Sequence, residues 1–376
     1  MDESAARAGS SRWTVWHRVG GLALLLALGG VVMFLWSGPD EVLDRGDKLF
    51  SVISGLVAVI SLVASAVTFQ AASRAARWSE ADPTVLQSQA AKDLATWVQQ
   101  QWRREATARL LDRPEPLRVR WSSTLRPVAP APGEVLGAAG PQSRVLRLRL
   151  GGDVNEVVNK FLQLPHRQLV VLGQPGAGKS VLMLLLTLGL LRRWRSDQPV
   201  PVLLNLSSWN PNREDLDAWL ARRLAEEYPA LGNRERYGSA VAVRLVKSDA
   251  VLPVLDGLDE MPQVRHAAAI AELNNALGGG RAVVIACRAE EYQAAVAAIG
   301  ETLGRAAVVE LESVDAGTAA LYLPTGQAKG QQRWAPVIAQ LRTNPLGPLA
   351  LALSTPLMVY LARTVYSAPD RDPAEL

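Results

Sequence analysis

Residues 168–180 have the sequence Gln-Leu-Val-Val-Leu-Gly-Gln-Pro-Gly-Ala-Gly-Lys-Ser, and this stretch decides the fold. It contains the spacing G-x-x-x-x-G-K-S between Gly173 and Ser180. A short apolar run precedes the glycines and a longer one, Val181 to Leu191, follows them, so the order predicts a strand, a glycine loop and a helix. Glycines let backbone N–H groups turn toward phosphate oxygens, and the start of a helix adds a favourable dipole.

The residue types in this loop predict a site for the phosphates of a nucleotide. Lys179 supplies a positive charge for the β- and γ-phosphates, and the Ser180 hydroxyl is a ligand for Mg²⁺. An ordinary glycine-rich turn is the alternative, but the flanking strand and helix patterns argue against it. The predicted nucleotide-binding residues in this stretch are Gly173, Gln174, Pro175, Gly176, Ala177, Gly178, Lys179, Ser180 and Val181.

The composition of the chain argues against several other classes of function. A chain of 376 residues has room for two or three domains. The net charge of +4 is small and its basic residues are dispersed, so we predict no direct nucleic-acid binding. A single cysteine, Cys287, excludes an internal disulfide and a cysteine-rich metal site, and we expect it to be a buried small apolar residue. The hydrophobic content of 49% and the mean hydropathy of +0.08 are high for a soluble protein.

Two N-terminal runs, residues 19–36 and 49–73, carry no charged side chain, and each is long enough to cross a bilayer core of about 30 Å. The positions of Lys and Arg beside them favour both chain ends inside. We therefore predict a cytosolic tail at 1–18 and a two-helix transmembrane hairpin at 19–73, with a lipid bilayer as partner. This implies a multi-pass protein of the plasma membrane whose N-terminus and nucleotide-binding domain are cytoplasmic. A cleaved signal peptide and buried soluble helices are the alternatives.

The next two segments connect this region to the glycine loop. Residues 84–111 have apolar side chains at every fourth position, which predicts an amphipathic linker helix. Packing on the next domain and a relay or self-association role are its two interpretations. Residues 112–144 are rich in Pro, Ala and Gly and predict a linker, with a short edge strand at Leu117–Trp121.

From residue 145 to 313 the pattern alternates between strands and helices. Such alternation predicts parallel βαβ units, hence an α/β fold with a three-layer core in which ligands bind at the carboxyl ends of the strands. The predicted strands after the loop are 200–206, 251–255 and 282–287. The predicted helices are 154–162, 214–227, 239–247 and 264–277.

A second element of the site follows the predicted strand at 251–255. Asp256 stands at its end, where a carboxylate can hold Mg²⁺ opposite Ser180. Asp259 and Glu260 lie at the same rim and can position a water for attack on the γ-phosphate, while a solvated turn with chance acids is the alternative. Arg288 ends the next strand and is a candidate sensor of the γ-phosphate, with a surface ion pair to Glu290 or Glu291 as the alternative.

Residues 314–376 predict a small helical region. Pro356 interrupts an apolar pattern and marks a junction between two helices, where a loop can contact a bound base or simply pack. Asp372-Pro373-Ala374-Glu375 has the composition of a helix start, one residue before the chain stops. We therefore expect the chain to be a fragment of a longer protein.

Together these residues resemble the NACHT family of STAND-class P-loop NTPases, from about Val154 to Leu361. The points of likeness are the loop 173–180, the sequence Asp256-Gly257-Leu258-Asp259-Glu260, Arg288, and Thr355-Pro356-Leu357-Met358. The segment 94–121 is similar to the region before the NACHT domain in membrane-anchored actinobacterial members. The chain departs from the family at Ala286-Cys287-Arg288, where Thr-Ser-Arg is commoner.

The resemblance implies an ATP-dependent switch that hydrolyses slowly and forms homo-oligomers when a C-terminal sensor meets its trigger. Carried over to this sequence, the loop binds phosphates, Ser180 and Asp256 hold Mg²⁺, Asp259 and Glu260 support hydrolysis, Arg288 acts as sensor, and Pro356 lies near adenine. A role in prokaryotic immunity or signalling is implied by analogy alone. An AAA+-like or other P-loop motor and a non-hydrolysing ATP-dependent oligomerisation scaffold remain as alternatives.

Overall fold

The computed structural model describes residues 83–109, 111, 117–137, 151–153, 156–368 and 370–376. Within these ranges one seven-stranded sheet has the order β2-β1-β7-β3-β6-β5-β4. Its strands are β1 Arg120–Ser123, β2 Gly151–Asp153, β3 Gln168–Leu172, β4 Val200–Asn205, β5 Val251–Asp256, β6 Val283–Cys287 and β7 Ala307–Leu311. Because β3 lies near the middle of this order, the glycine loop that follows it emerges at the centre of one sheet edge.

The sheet is mixed, although most of it is parallel. Strands β7, β3, β6, β5 and β4 run parallel to one another, whereas β1 is antiparallel to both β7 and β2. The predicted α/β core is confirmed, and the short strand predicted at Leu117–Trp121 is present with shifted bounds, but its predicted position at an edge of the sheet is wrong. That strand spans Arg120–Ser123 and is paired on both sides, and its partner β7 was not predicted from the sequence.

Fourteen α-helices connect or follow these strands in the described part of the chain. Their bounds are α1 Pro83–Ala108, α2 Pro132–Val135, α3 Val157–Gln163, α4 Lys179–Leu191, α5 Leu216–Glu227, α6 Arg234–Tyr237, α7 Val241–Lys247, α8 His266–Leu277, α9 Ala289–Ile299, α10 Ala316–Tyr322, α11 Gly330–Arg333, α12 Ala335–Thr343, α13 Pro348–Ala352 and α14 Pro356–Val365.

Helices cover both faces of the sheet, because the apolar strands alternate their side chains between two cores. In β3, Val170 and Leu172 join the core that contains α5, α7, α8 and α9. Leu169 and Val171 join the opposite core, which contains α3 and α4. This three-layer arrangement holds the strand ends in fixed register, so residues at the ends of neighbouring strands meet.

Helix α1 packs its apolar stripe on the first of these cores. Ala90, Leu94 and Val98 are fully buried there. On the same helix, the Asp93 carboxylate accepts hydrogen bonds of 2.7 Å from both Tyr237 Oη and an Arg236 Nη. These contacts match the packing interpretation of the amphipathic segment.

The segment predicted as a linker at 112–144 is partly structured where it is described. It contains α2, and Val128 and Val135 are only 1% and 3% exposed. The apolar residues among its prolines and glycines are buried in the two sheet cores, Val128 in one and Val135 in the other. The interpretation as a plain linker is therefore wrong for the described part of this segment.

Helices α10 to α14 form a separate small core after the sheet. Leu323, Trp334 and Val359 are fully buried within it. The backbone joins this core to the sheet domain directly, since Leu357 N donates to Gly176 O at 3.3 Å. The helical region thus packs beside the edge of the sheet at which the glycine loop emerges.

The predicted localisation as a multi-pass membrane protein is wrong for what the structure describes. Among the described residues no helix combines the length and the apolar character needed to cross a bilayer. The runs 19–36 and 49–73, on which the hairpin was predicted, lie outside the described residues. The transmembrane hairpin therefore has no structural support.

Candidate functional site

The glycine loop lies between the end of β3 and the start of α4. Gly176 and Gly178 have φ angles of +75° and +90°, which an L-residue with a side chain adopts only with strain. Gly178 also occupies the N-cap position of α4 and carries no side chain that could cap it. The N–H groups of the first helical turn are therefore available to an anion.

Lys179 extends back over this loop. Its Nζ donates to Gly173 O at 2.9 Å and to Gln174 O at 3.3 Å. Burial lowers the pKa of Lys179, while the negative charge of Asp259 acts in the opposite direction. A phosphate group beside Nζ would add the negative partner that this partly buried ammonium lacks.

Ser180 and Asp256 meet across the loop, because β5 ends beside the start of α4. Their side chains are hydrogen-bonded to each other, and the Asp256 carboxyl has a raised pKa. Burial is the main cause, and the charges of Glu260 and Asp259 add to it. A divalent cation at this position would offset the cost of the buried negative charge.

The donor set fits Mg²⁺ held together with phosphate. In the described ranges no cluster of three or more His, Cys, Asp or Glu side chains could hold a metal by itself. Mg²⁺ commonly takes one or two protein ligands and completes its octahedron with water and substrate phosphates. Ser180 and Asp256 would therefore supply what a nucleotide-bound Mg²⁺ needs from the protein.

Asp259 and Arg288 form a closed pair at this rim. Asp259 Oδ1 accepts from Arg288 N at 3.0 Å, and Oδ2 lies 2.8 Å from Arg288 Nε. The Asp259 side chain is only 6% exposed, whereas that of Arg288 is 45% exposed. Asp259 therefore fixes the base of the arginine, whose Nη1 also lies 3.6 Å from Glu291 Oε1. The ion pair with Glu291, which was the alternative interpretation of Arg288, is therefore present.

Glu260 differs from its neighbour because it is exposed and faces the cavity. Its Oε2 accepts from Asn205 Nδ2 at 2.7 Å. Gly257, at φ +80°, lies beneath it, and a Cβ on that glycine would come within 2.8 Å of the Glu260 carboxyl carbon. A glycine is therefore required at 257 for Glu260 to take this position.

Cys287 ends β6 inside the core. It is fully buried, and burial raises the pKa of its thiol. A buried thiol with a raised pKa is a poor nucleophile and behaves as a small apolar side chain. This agrees with the expectation from the sequence.

The first turn of α14 contacts the glycine loop. Leu357 N donates to Gly176 O at 3.3 Å. A Cβ on Gly176 would lie 3.2 Å from Leu357 Cβ, and one on Gly178 would lie 3.7 Å from Pro356 Cγ. Thr355 caps the helix by accepting from Met358 N. The helix junction that was predicted at Pro356 therefore lies directly on the loop.

A cavity of about 870 Å³ lies between the loop, the strand-end acids and the helical region. Its phosphate end is lined by Pro175, Gly176, Gly178, Lys179, Ser180, Val181, Asp256, Asp259, Glu260 and Arg288, and Pro356 also lines it. Three predicted residues do not line the cavity: Gly173 and Gln174 accept from Lys179 through their carbonyl groups, and Ala177 is buried.

The other wall of the cavity was not predicted. It is apolar at Leu111, Leu117 and Val119, from the segment before the sheet, and polar around Tyr322 and Arg363. The Arg363 guanidinium stacks 5.3 Å from the centre of the Tyr322 ring and donates to Thr325 O at 2.6 Å. These residues belong to no sequence motif, and tertiary packing alone brings them to the nucleotide loop.

Comparison with known families gives one match. Residues 167–324 match the family model described as the NACHT domain. NACHT domains are P-loop NTPases, so the match supports nucleotide binding and NTPase activity for this region. It is narrower than the likeness predicted from the sequence and does not include Thr355 to Met358. A search of curated proteins finds no match to the chain.

Proposed function

We propose that this chain is a signal-transduction switch that binds ATP and hydrolyses it slowly. The observation that carries the proposal is the shared cavity. One nucleotide in it would touch the glycine loop and strand-end acids on one side and helix α14 on the other. A ligand shifts a conformational equilibrium when it binds the two states with different affinity. Loss of the γ-phosphate would change the contacts of the glycine loop and the strand-end acids. Because helix α14 packs on that loop, its packing would change as well.

The residues divide into three roles in this proposal. Lys179, Ser180, Val181 and the loop 173–178 hold the phosphates, and Ser180 with Asp256 holds Mg²⁺. Mg²⁺ would neutralise charge on the β- and γ-phosphates. Glu260 orients the attacking water, while Asp259 supports hydrolysis by holding Arg288 toward the γ-phosphate. Pro356 lies at the loop and is proposed to contact the nucleotide from the helical side.

Slow turnover and regulated assembly complete the proposal. Arg288 is held at its Nε by Asp259, but its Nη1 lies near Glu291, so that end of the guanidinium must leave Glu291 before it can neutralise developing charge. Such a site favours a bound state over rapid turnover. We propose homo-oligomerisation on activation by an unidentified trigger, with a role in immunity or signalling as the biological setting.

The test is the nucleotide content and turnover of the purified chain. Denaturing the protein and separating released nucleotides should yield ADP or ATP near one per chain, with turnover well below the median of about 10 per second. Both should be absent in Lys179→Ala. Fast turnover without retained nucleotide would indicate a motor, retained ATP without turnover a scaffold, and no nucleotide binding at all would overturn the proposal.

A further inference from the structure

Asn205 stands at the end of the outermost strand, β4, outside the cavity lining of the described residues. Its Cα is in register with that of Asp256, the last residue of the neighbouring strand β5. Parallel strands bring their carboxyl ends to one edge of a sheet, so Asn205 reaches the same rim as the strand-end acids. The register therefore places an amide side chain beside the candidate hydrolytic residues.

The orientation of the Asn205 amide follows from its hydrogen bonds. Oδ1 accepts from Ser207 N at 2.7 Å, in the first turn of the 3-10 helix Leu206–Ser208. An N–H can only donate, so the atom facing Ser207 must be the oxygen. The other end, Nδ2, is then the donor, and it points to Glu260 Oε2 at 2.7 Å.

The hydrogen bond from Asn205 fixes one carboxylate oxygen of Glu260 and leaves the other oxygen able to accept a hydrogen bond. Asn205 occupies Oε2, and Gly257 supports the carboxyl group from beneath. Asp259 contrasts with this, because both of its oxygens are bound by Arg288. Of the two adjacent acids, Glu260 is therefore the one that retains a carboxylate oxygen, Oε1, as an acceptor for a water in the cavity.

We propose that Asn205 is a positioning residue for ATP hydrolysis, acting through Glu260. This inference rests on the proposed function. In the reaction the water oxygen bonds to the γ-phosphorus, and the bond from that phosphorus to the bridging oxygen breaks. ADP leaves with the electron pair, and Glu260 takes up a proton of the water. A free glutamate side chain loses up to about 2 kcal/mol of rotamer entropy when it is held in one geometry. Asn205 holds it there beforehand.

Two substitutions of Asn205 remove its hydrogen bond to Glu260 while they keep an oxygen that can accept from Ser207 N. Asn205→Asp keeps the acceptor for Ser207 N but places a like charge against Glu260. Asn205→Ser also keeps a capping oxygen, and it removes the donor without adding charge. We expect kcat to fall roughly tenfold in Asn205→Asp and by a smaller factor in Asn205→Ser, because an unpositioned base loses part of its roughly 100-fold or greater contribution. The dissociation constant for ATP with Mg²⁺ should stay within about twofold of wild type, since Asn205 does not touch the cavity.

Asn210→Asp is the matched control. Asn210 lies in the same connection, and its Oδ1 accepts from Asn212 N at 3.3 Å, but among the described residues its amide donates to no carboxylate. The same change of charge there should leave kcat unaltered. In a Glu260→Gln background, Asn205→Asp should cause no further loss, because residues that act through one group are not additive.

The possible results distinguish failure of the proposed ATP hydrolysis from failure of the proposed role of Asn205. If wild type shows no ATP turnover that depends on Lys179, the proposed function fails. If wild type turns over but Asn205→Asp equals wild type or exceeds it, Asn205 is not a positioning residue. A fall in kcat that is accompanied by an equal fall in ATP affinity, or that persists in full in the Glu260→Gln background, likewise overturns the inference. Melting temperatures of the variants exclude unfolding as the cause.

Discussion

The two ends of the cavity are built in different ways. The phosphate end is polar, and its residues lie on one loop and at the ends of the neighbouring strands β5 and β6, where sheet register fixes them. The opposite wall combines residues 108, 109, 111, 117 and 119 with residues between 322 and 367, and its apolar residue Leu357 is still 50% exposed. The first end is rigidly specified and the second is assembled by packing. We therefore expect the phosphate end to determine whether a nucleotide binds, and the wall to determine what binding changes elsewhere in the protein.

The largest effect should follow from Lys179→Ala, which removes the positive charge of the phosphate end. Hydrogen bonds to charged groups contribute about 1.5–3 kcal/mol each, so the affinity for ATP with Mg²⁺ should fall by about 100-fold. Titration with a fluorescent ATP analogue measures this. Lys160→Ala, in α3 and away from the cavity lining, is the control and should bind as wild type. Equal affinities in Lys179→Ala and Lys160→Ala would show that the phosphate end does not bind the nucleotide.

The two adjacent acids should differ in their effect on turnover. Glu260→Gln removes the proton acceptor and should lower kcat about 100-fold with affinity retained. Asp259→Asn releases Arg288 and should lower kcat by roughly tenfold, since it acts through the arginine. Single-turnover kinetics at saturating ATP measures both. A larger loss in Asp259→Asn than in Glu260→Gln would reverse the division of roles.

Asp256→Asn should have opposite effects on binding and on stability. The pKa of Asp256 in the folded protein is raised above its ordinary value of 3.8, so its ionised form costs stability. That cost is absent below the unfolded pKa and is fully present above the folded one. The variant should therefore melt at a higher temperature than wild type at pH 7.5, and this gain should shrink as the pH falls toward 3.8.

The same variant should bind ATP with Mg²⁺ about tenfold more weakly, because one of the two protein ligands of the metal is weakened. Adding Mg²⁺ and ATP should raise the melting temperature of wild type more than that of Asp256→Asn. Scanning calorimetry over a range of pH measures both effects. A lower melting temperature for the variant at pH 7.5 would contradict the burial argument.

The smallest effect should come from the opposite wall. Leu357→Ala removes apolar surface that lines the cavity, and about 1 kcal/mol of lost contact corresponds to roughly fivefold weaker ATP binding. Met358→Ala is the matched control, because Met358 is similarly exposed, at 43%, but does not line the cavity. Isothermal titration of both variants checks the prediction. Similar affinities would mean that the wall does not touch the nucleotide.

The sequence was informative wherever function depends on consecutive residues. The loop at 173–180 and the acids at 256–260 carry their geometry in their local spacing. In contrast, the pairing of Asn205 with Glu260 depends on the register of β4 with β5, and the stacking of Arg363 on Tyr322 depends on helix packing. Neither contact can be predicted from residue spacing in a single sequence.

The same physics explains the errors in the fold. Trp121 lies in a strand paired on both sides, but the strand is four residues long and its neighbours are Pro-rich, so the sequence suggested an edge. Strand β7 is five residues long and follows a turn, and such short apolar runs give no period of their own. The position of β1 and the formation of β7 both depend on pairing with strands that are far away in the sequence.

The most direct test of the account is to map where the base of a bound nucleotide lies. Photolabelling the chain with 8-azido-ATP and sequencing the labelled peptides gives that position. The account predicts label in the wall, within residues 111–119 or 322–367, with competition by ATP and loss of label in Lys179→Ala. Label confined to other surfaces, such as the groove between helices α5, α7 and α8, or label that persists in Lys179→Ala, would contradict it.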